Sequence, residues 1–476
     1  MSLTNLILVL NQVIAILAII HVVMDNRQPA KTVAWALIIY FVPIAGIIAY
    51  LFFGVNTRKE RYVSRRSLNQ LSKRSLLEFA RQHDFQLPAQ HEAVIDLFAH
   101  QSHSFPFSGN KVDFLTSGYE FFPALLRDIA TAKNHIHIDI YIFEDDALGR
   151  LVSDALIERA RQGVEVRIIY DDVGCWSVQN DFFEQMREAG IEVAPFMPVR
   201  FPKFTSKANY RNHRKLIVID GHIGYIGGMN IALRYVKGSA KKKLPWRDTM
   251  ARIEGRGVYS LQRTFLIDWY FVDRTLLSDR KYYSAPSDLP QPGEALLQTV
   301  TSGPSDPDLA IMQGYMRIIL AARQYVYIET PYFLPTQAIL LALKTAAQSG
   351  VDVRLLVPLH SDAWLTEWAS RSYLREVSEA GVQVLFYQAG FVHSKLMVSD
   401  DSVCTCGSTN IDFRSFENNF EANTFFYDRK TAVRMRNIFQ TDEQQSVPFS
   451  QLTDRLHPKF AVRLWESLTR LFSPLL

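Results

Sequence analysis

NHRKLIVID occupies residues 212–220 and VHSKLMVSD occupies 392–400. Each holds His, one residue, Lys, four residues, Asp: His213, Lys215 and Asp220 in the first stretch, His393, Lys395 and Asp400 in the second. Side chains at i and i+2 of a β-strand project to one face. The pattern therefore predicts two strands, each presenting a His beside a Lys, with apolar residues behind them anchoring the strand in a core. A single His and Lys on a strand are ordinary surface residues; their repetition is what points to chemistry.

The match continues downstream. Asp220 is followed by Gly227, Gly228 and Asn230, and Asp400 by Gly407, Ser408 and Asn410, so each Asn stands at the same separation from its His. An acid follows in each copy, Asp248 and Glu421, and the extra length of the first copy fits in the loop KGSAKKKLP (237–245). Upstream, AKNHIHIDIYIFEDD begins at Ala132 and ARQYVYIETPYFLP at Ala322. Each opens a strand, loop, amphipathic helix, Gly and second strand. Asp139 and Glu329 occupy matching strand ends and are secondary site candidates. A duplication without an active site does not explain why the polar positions agree better than the loops around them.

The repeat implies two α/β halves, 106–280 and 295–476, built on parallel sheets covered by helices. The segment from about 276 to 294, with SAPSDLPQPGEA, reads as their junction. Residues 56–105 read as a connector and 1–55 as a transmembrane hairpin. Residues 2–24 and 32–57 contain no Asp, Glu, Lys or Arg, and about 20 such residues suffice for one helix to cross a bilayer. Arg58, Lys59, Arg61, Arg65, Arg66, Lys73 and Arg74 follow the second segment, which predicts a cytoplasmic catalytic part.

Composition limits the functional classes. The chain has 476 residues, is 48% apolar and carries a net charge of +4. That charge does not suit a nucleic-acid binder relying on a basic surface. Three cysteines, Cys175, Cys404 and Cys406, argue against a disulfide framework.

These motifs resemble the phospholipase D superfamily, with its paired HxKxxxxD and trailing G-[GS]-x-N. GGMNIALRY, IETPYFLP, GSTNIDFRSFENNFEAN and the apolar N-terminus are similar, more closely, to the bacterial cardiolipin synthases. The resemblance implies two tandem phospholipase D-like α/β/α sandwich halves packed as a pseudo-dimer behind a two-helix hairpin, in the bacterial inner membrane. It implies phosphatidyl transfer between two phosphatidylglycerol molecules through a phosphohistidine, without cofactor or metal and without a nucleic-acid partner. His213 is then the nucleophile and His393 the acid/base. Lys215, Lys395, Asn230, Ser408 and Asn410 hold the phosphate, and Asp248 and Glu421 orient the histidines. Asp220 and Asp400 belong to the catalytic motif but are expected to brace loops. The alternatives are a phospholipase D-type hydrolase and a synthase using phosphatidylethanolamine as donor; oligomeric state stays open.

Overall fold

In the computed structural model the described residues are 3–25, 29–54, 87–199, 209–238, 244–277, 279–282, 292–306 and 308–475. Much of the expected connector and junction, and the basic stretch after the second apolar segment, lies outside them.

Among the described residues, fifteen strands form one continuous sheet whose order mirrors itself about the centre. From the centre outward, the first half runs Phe107–Leu115, Met250–Glu254, Ile223–Gly227, Lys215–Ile219, His135–Ile140, Glu165–Asp171, Glu192–Phe196. The second runs Ala295–Ser302, Glu421–Phe426, Val403–Gly407, Leu396–Ser399, Tyr325–Glu329, Asp352–Pro358, Gln383–Tyr387, closed by the edge strand Ser446–Pro448. The halves join where Phe107–Leu115 pairs antiparallel with Ala295–Ser302.

The expectation of parallel sheets holds only for the outer strands. His135–Ile140, Glu165–Asp171 and Glu192–Phe196 are parallel, as are Tyr325–Glu329, Asp352–Pro358 and Gln383–Tyr387. The strands that follow the histidines are antiparallel to their neighbours. The reason is local: each turns straight back through a tight hairpin, which joins antiparallel strands only. Asp220 and Gly221 take φ of 52° and 71° there, and Asp400 and Asp401 take 50° and 51°.

Helices cover the sheet on both faces. Asp146 starts Ala147–Arg161 by accepting from the N–H groups of Leu148 and Gly149, at 3.0 and 2.8 Å, which satisfies donors that the first turn leaves open. Each half has its own core, and a third core joins Val112, Val218 and Ile226 of the first half to Leu396, Val398 and Phe426 of the second. The described end of the connector is the helix Glu92–Ser102; its Val94, Ile95 and Phe98 enter the second half's core.

At the N-terminus, Leu3–Met24 is one helix, whereas the second apolar segment is divided into Pro29–Phe41, Pro43–Ala49 and the turn Tyr50–Gly54. Pro43 causes the first break, since its ring excludes a continuous helical ladder. Ala15, Val22, Ile39 and Tyr50 pack the two segments together. Among the described residues, no helix is long and apolar enough to cross a membrane, so a spanning reading rests on sequence.

Candidate active site

Both histidines reach the same place because each is held by the opposite half. The His213 amide donates to the Phe420 carbonyl at 2.9 Å, and the His393 amide to the Arg247 carbonyl at 2.7 Å. The next residue in each case is the acid that holds the ring. His213 Nδ1 lies 3.0 Å from Glu421 Oε1, and His393 Nδ1 lies 2.7 Å from Asp248 Oδ2. Two short cross-half contacts fix the approach: Phe391–Val392 pairs with Trp246–Arg247, and Asn212 bridges to Phe420.

A cavity of about 350 Å³ opens over this seam, lined by His213, His393, Asn230 and Asn410. Tyr141 stands edge-on to His213 with ring centres 5.0 Å apart, and Trp246 lies 5.1 Å from His393. Lys215 Nζ donates to the His213 carbonyl at 2.6 Å and sits 5.0 Å from the Tyr141 ring. Lys395 Nζ makes the equivalent bond to the His393 carbonyl. All four histidine and lysine side chains are buried.

That burial sets the electrostatics. Lys215 is pushed down to about 7 and Lys395 to about 8, chiefly by desolvation. Desolvation also lowers His213, to about 4, with the Glu421 charge opposing and the Lys215 charge assisting. His393 is driven well down by burial, then by Lys395 and Lys215. Burial works to raise Glu421, but His213 and Lys215 outweigh it and keep the carboxyl below its usual range. Asp248 rises to about 6, burial exceeding the pull of Lys395. At neutral pH both acids are therefore ionised and both imidazoles neutral. A neutral ring whose Nδ1–H donates to a carboxylate keeps its Nε2 lone pair available.

Other sequence-predicted residues divide. Asn230 lines the cavity, where its Oδ1 accepts from the Ile142 amide at 3.0 Å and its Nδ2 donates to Tyr235 at 3.2 Å. Asn410 lines it too, with Oδ1 buried and unbonded. Ser408 departs from the phosphate-binding expectation: its hydroxyl donates to Glu421 Oε2 and accepts from the Ala422 amide at 3.0 Å. It directly follows the strand Val403–Gly407, which pairs with Glu421–Phe426, and its amide donates to the Ala422 carbonyl at 3.0 Å, so its side chain meets the acid instead of the cavity. Asp220 lies at the far end of its strand, accepting from the amides of Lys133, Asn134 and His135 at 2.7–2.9 Å. Asp400 does the same for Arg323, Gln324 and Tyr325 at 2.7–2.9 Å. Neither touches the cavity. Asp139 and Glu329 are buried off it: Asp139 accepts from Asn212 at 2.5 Å, and Glu329 lies 3.9 Å from Arg247.

Sequence reasoning missed Arg211, Tyr332, Asp412 and Arg414, all on the cavity wall. Arg211 was within reach, since it stands two residues before His213; Tyr332 carries no such signal.

Fold and site together define the class: a duplicated phospholipase D-like α/β protein with one composite site at the seam of its halves. A family described as "Cardiolipin synthase, PLD-like domain" matches residues 125–242 and 315–443, and one described as "Phospholipase_D-nuclease N-terminal" matches 13–54. The chain is 38% identical to "Cardiolipin synthase" of Oceanobacillus iheyensis and 36% identical to "Major cardiolipin synthase ClsA" of Bacillus subtilis, over 100% of both chains in each case. The solved phosphatidylserine synthase of Haemophilus influenzae shares the fold, with a TM-score of 0.61 at 16% identity, covering 85% of this chain and 100% of that one. The chain belongs to the cardiolipin synthase family of phospholipase D-like proteins.

Proposed function

We propose that the protein is a cardiolipin synthase, moving a phosphatidyl group from one phosphatidylglycerol to another and releasing glycerol. The observation that carries this is the cross-paired couple: two neutral imidazoles, each fixed by an acid of the other half, share one cavity, with the buried Lys215 and Lys395 each bonded to the carbonyl of the adjoining His.

In the first step His213 Nε2 attacks phosphorus while His393 protonates the departing glycerol oxygen, leaving a phosphatidyl–His213 intermediate. In the second, His393 takes the proton from the headgroup hydroxyl of another phosphatidylglycerol. That oxygen attacks phosphorus, and the P–N bond to His213 breaks. One phosphodiester replaces another, so the exchange needs no nucleotide. Lys215, Lys395, Asn230 and Asn410 stabilise charge on the nonbridging oxygens.

His393 must hold a proton in the first step, yet the two lysines depress it. A phosphodiester anion between those lysines offsets their charge and raises the proton affinity of His393, which takes up a proton from solvent as the substrate binds. Glu421 supports His213 as the nucleophile. It is ionised and collects donors from His213, Ser408 and Asn419, a setting that stabilises the cationic ring of a phosphohistidine. Tyr141, Trp246 and Tyr332 wall the cavity and limit water, which favours a lipid alcohol as acceptor.

The two apolar N-terminal segments form a membrane hairpin in this reading. Leu10, Leu17, Val23, Leu37 and Ile44 are exposed on it, a surface that lipid would cover. The basic stretch at 58–74 supports a cytoplasmic catalytic part.

The test is a product assay with purified protein and phosphatidylglycerol in mixed micelles, followed by mass spectrometry. Cardiolipin and glycerol, both lost in His213→Ala and His393→Ala, are expected. Phosphatidate without cardiolipin would make water the acceptor, and product from phosphatidylethanolamine alone would change the donor.

A further inference from the structure

The C-terminal helix Phe460–Arg470 is mounted inside out. Its polar side faces the protein. Glu466 and Thr469 are buried, and Glu466 Oε2 pairs with Arg375 at 2.5 Å. Arg470 bonds Glu376 at 2.8 Å and Ser372 at 3.1 Å, and lies 3.8 Å from the centre of the Tyr373 ring. All these partners belong to the helix Trp364–Glu379. The apolar side faces outward: Phe460 is 82% exposed, Leu464 49%, Leu468 44% and Leu471 74%. Trp465 continues the patch to Trp364, 62% exposed, with ring centres 6.1 Å apart. A helix free to choose in water would turn this stripe inward. Here the ion pairs hold it out.

We propose that this outward stripe, with Trp364, docks on the surface of an anionic lipid bilayer and sets the cavity mouth at the headgroup level. Position selects the bilayer over a protein partner. Trp364 adjoins Asp362, Ala363 and Thr366 at the cavity rim. The turn Ser473–Leu475, just past the stripe, touches the helix Phe413–Glu417. That same helix supplies Arg414 to the cavity and pairs Glu417 with Lys31 of the N-terminal hairpin at 2.6 Å. Hairpin, cavity mouth and stripe therefore follow one another along a single face. Lys459 and Arg463 are exposed beside the stripe, and its acid, Glu466, is consumed by Arg375, so the charge beside the stripe suits anionic headgroups. Aromatic and aliphatic residues flanked by basic ones form the pattern of an interfacial helix. The stripe lies beyond the hairpin and rests on the reading that both substrates are bilayer lipids.

The test uses the full chain in nanodiscs of phosphatidylglycerol and phosphatidylcholine. The native cysteines are buried, so a polarity-sensitive fluorophore can be placed on Leu464→Cys, with Glu158→Cys on the first half as reference. The label at 464 is expected to shift to the blue and to be quenched by bromine-substituted lipid, and the label at 158 not. Independently, Leu464→Glu with Leu468→Glu should lower turnover at least tenfold on vesicle-embedded phosphatidylglycerol. Turnover of a short-chain phosphatidylglycerol dispersed as monomers should stay within twofold. Equal quenching at the two sites would overturn the proposal, as would equal losses on both substrates. A blue shift that grows with protein concentration in detergent, without lipid, would assign the stripe to a second copy of the chain. Absence of cardiolipin from the unaltered protein would instead remove the functional reading, and the label at 464 would still decide the docking.

Discussion

His393 Nδ1 lies 2.7 Å from Asp248 Oδ2, although 145 positions of chain and the seam between the halves separate them. His213 and Glu421 repeat the relationship across 208 positions. Each imidazole thus has its tautomer fixed by the other half, and the backbone amide beside each ring is tied to the residue before the same acid. Separating the halves would strip both rings of their carboxylates together.

Asp248→Asn keeps the shape of the carboxylate but not its charge or its demand for the Nδ1 proton. The His393 tautomer is then free to reverse. Turnover should fall on the order of 10³–10⁴-fold, the scale of losing a tautomer-fixing carboxylate, with the thermal unfolding midpoint nearly unchanged. Steady-state rates beside circular dichroism melts separate the two effects. A fall of under tenfold would mean that Asp248 does not orient the ring.

The pH dependence of kcat/KM reads the free site. His213 must be neutral, a form gained as pH rises through about 4. Lys215 must be charged, a form lost as pH rises through about 7. Asp248 must be ionised, a form gained as pH rises through about 6, so activity should be highest between about 6 and 7 and decline on the alkaline side. Lys215→Arg keeps its charge throughout, so the first lysine to lose its proton becomes Lys395, at about 8. The alkaline limb should move up accordingly, whatever the variant costs in absolute rate. A limb that stays in place would assign it to another group.

The two strands and the one shared site were legible from the repetition of 213/215 at 393/395, but the strands begin at Lys215 and Leu396, so both histidines stand just ahead of them and not on a strand face. Which acid holds which ring was not legible. Asp248 and Glu421 each follow a His within their own half, and spacing carries no information that the seam exchanges them. The mixed sheet was equally hidden, since it depends on the left-handed turns at Asp220 and Asp400 and not on strand composition. Ser408 was read as a phosphate donor from its place in the repeat, and spacing does not show that its hydroxyl meets Glu421. The inverted C-terminal helix shows a clear apolar stripe in sequence; only the ion pairs from Arg375 and Glu376 decide which way it faces.

Asp220 and Asp400 carry the motif's acids far from phosphorus, and substitution can separate that bracing from catalysis. Each accepts three backbone amides while its own backbone is left-handed. Asp220→Ala leaves those donors without a charged acceptor and places Ala at a φ it disfavours. A destabilisation of about 3 kcal/mol is expected, visible as a lower denaturation midpoint. The rate per folded molecule at low temperature should stay within a few-fold of the unaltered protein. A rate loss as deep as that of His213→Ala, in protein shown to be folded, would return Asp220 to the chemistry.

Gly228 and Ser408 occupy equivalent places, but they are not interchangeable. A Cβ built at Gly228 falls 2.1 Å from Asp248 Oδ1, closer than any contact allows, so Gly228→Ser must push Asp248 off His393. Its turnover should drop at least as far as that of Asp248→Asn. In the other copy, Ser408→Gly removes one donor from Glu421 yet leaves it His213 and Asn419. Loss of one charge-assisted hydrogen bond of about 1.5 kcal/mol corresponds to roughly tenfold in rate. The ratio of the two kcat losses is the measurement. A large ratio means that Gly228 is dictated by the short reach of Asp248, and a ratio near one means that the two half-sites tolerate the same side chains.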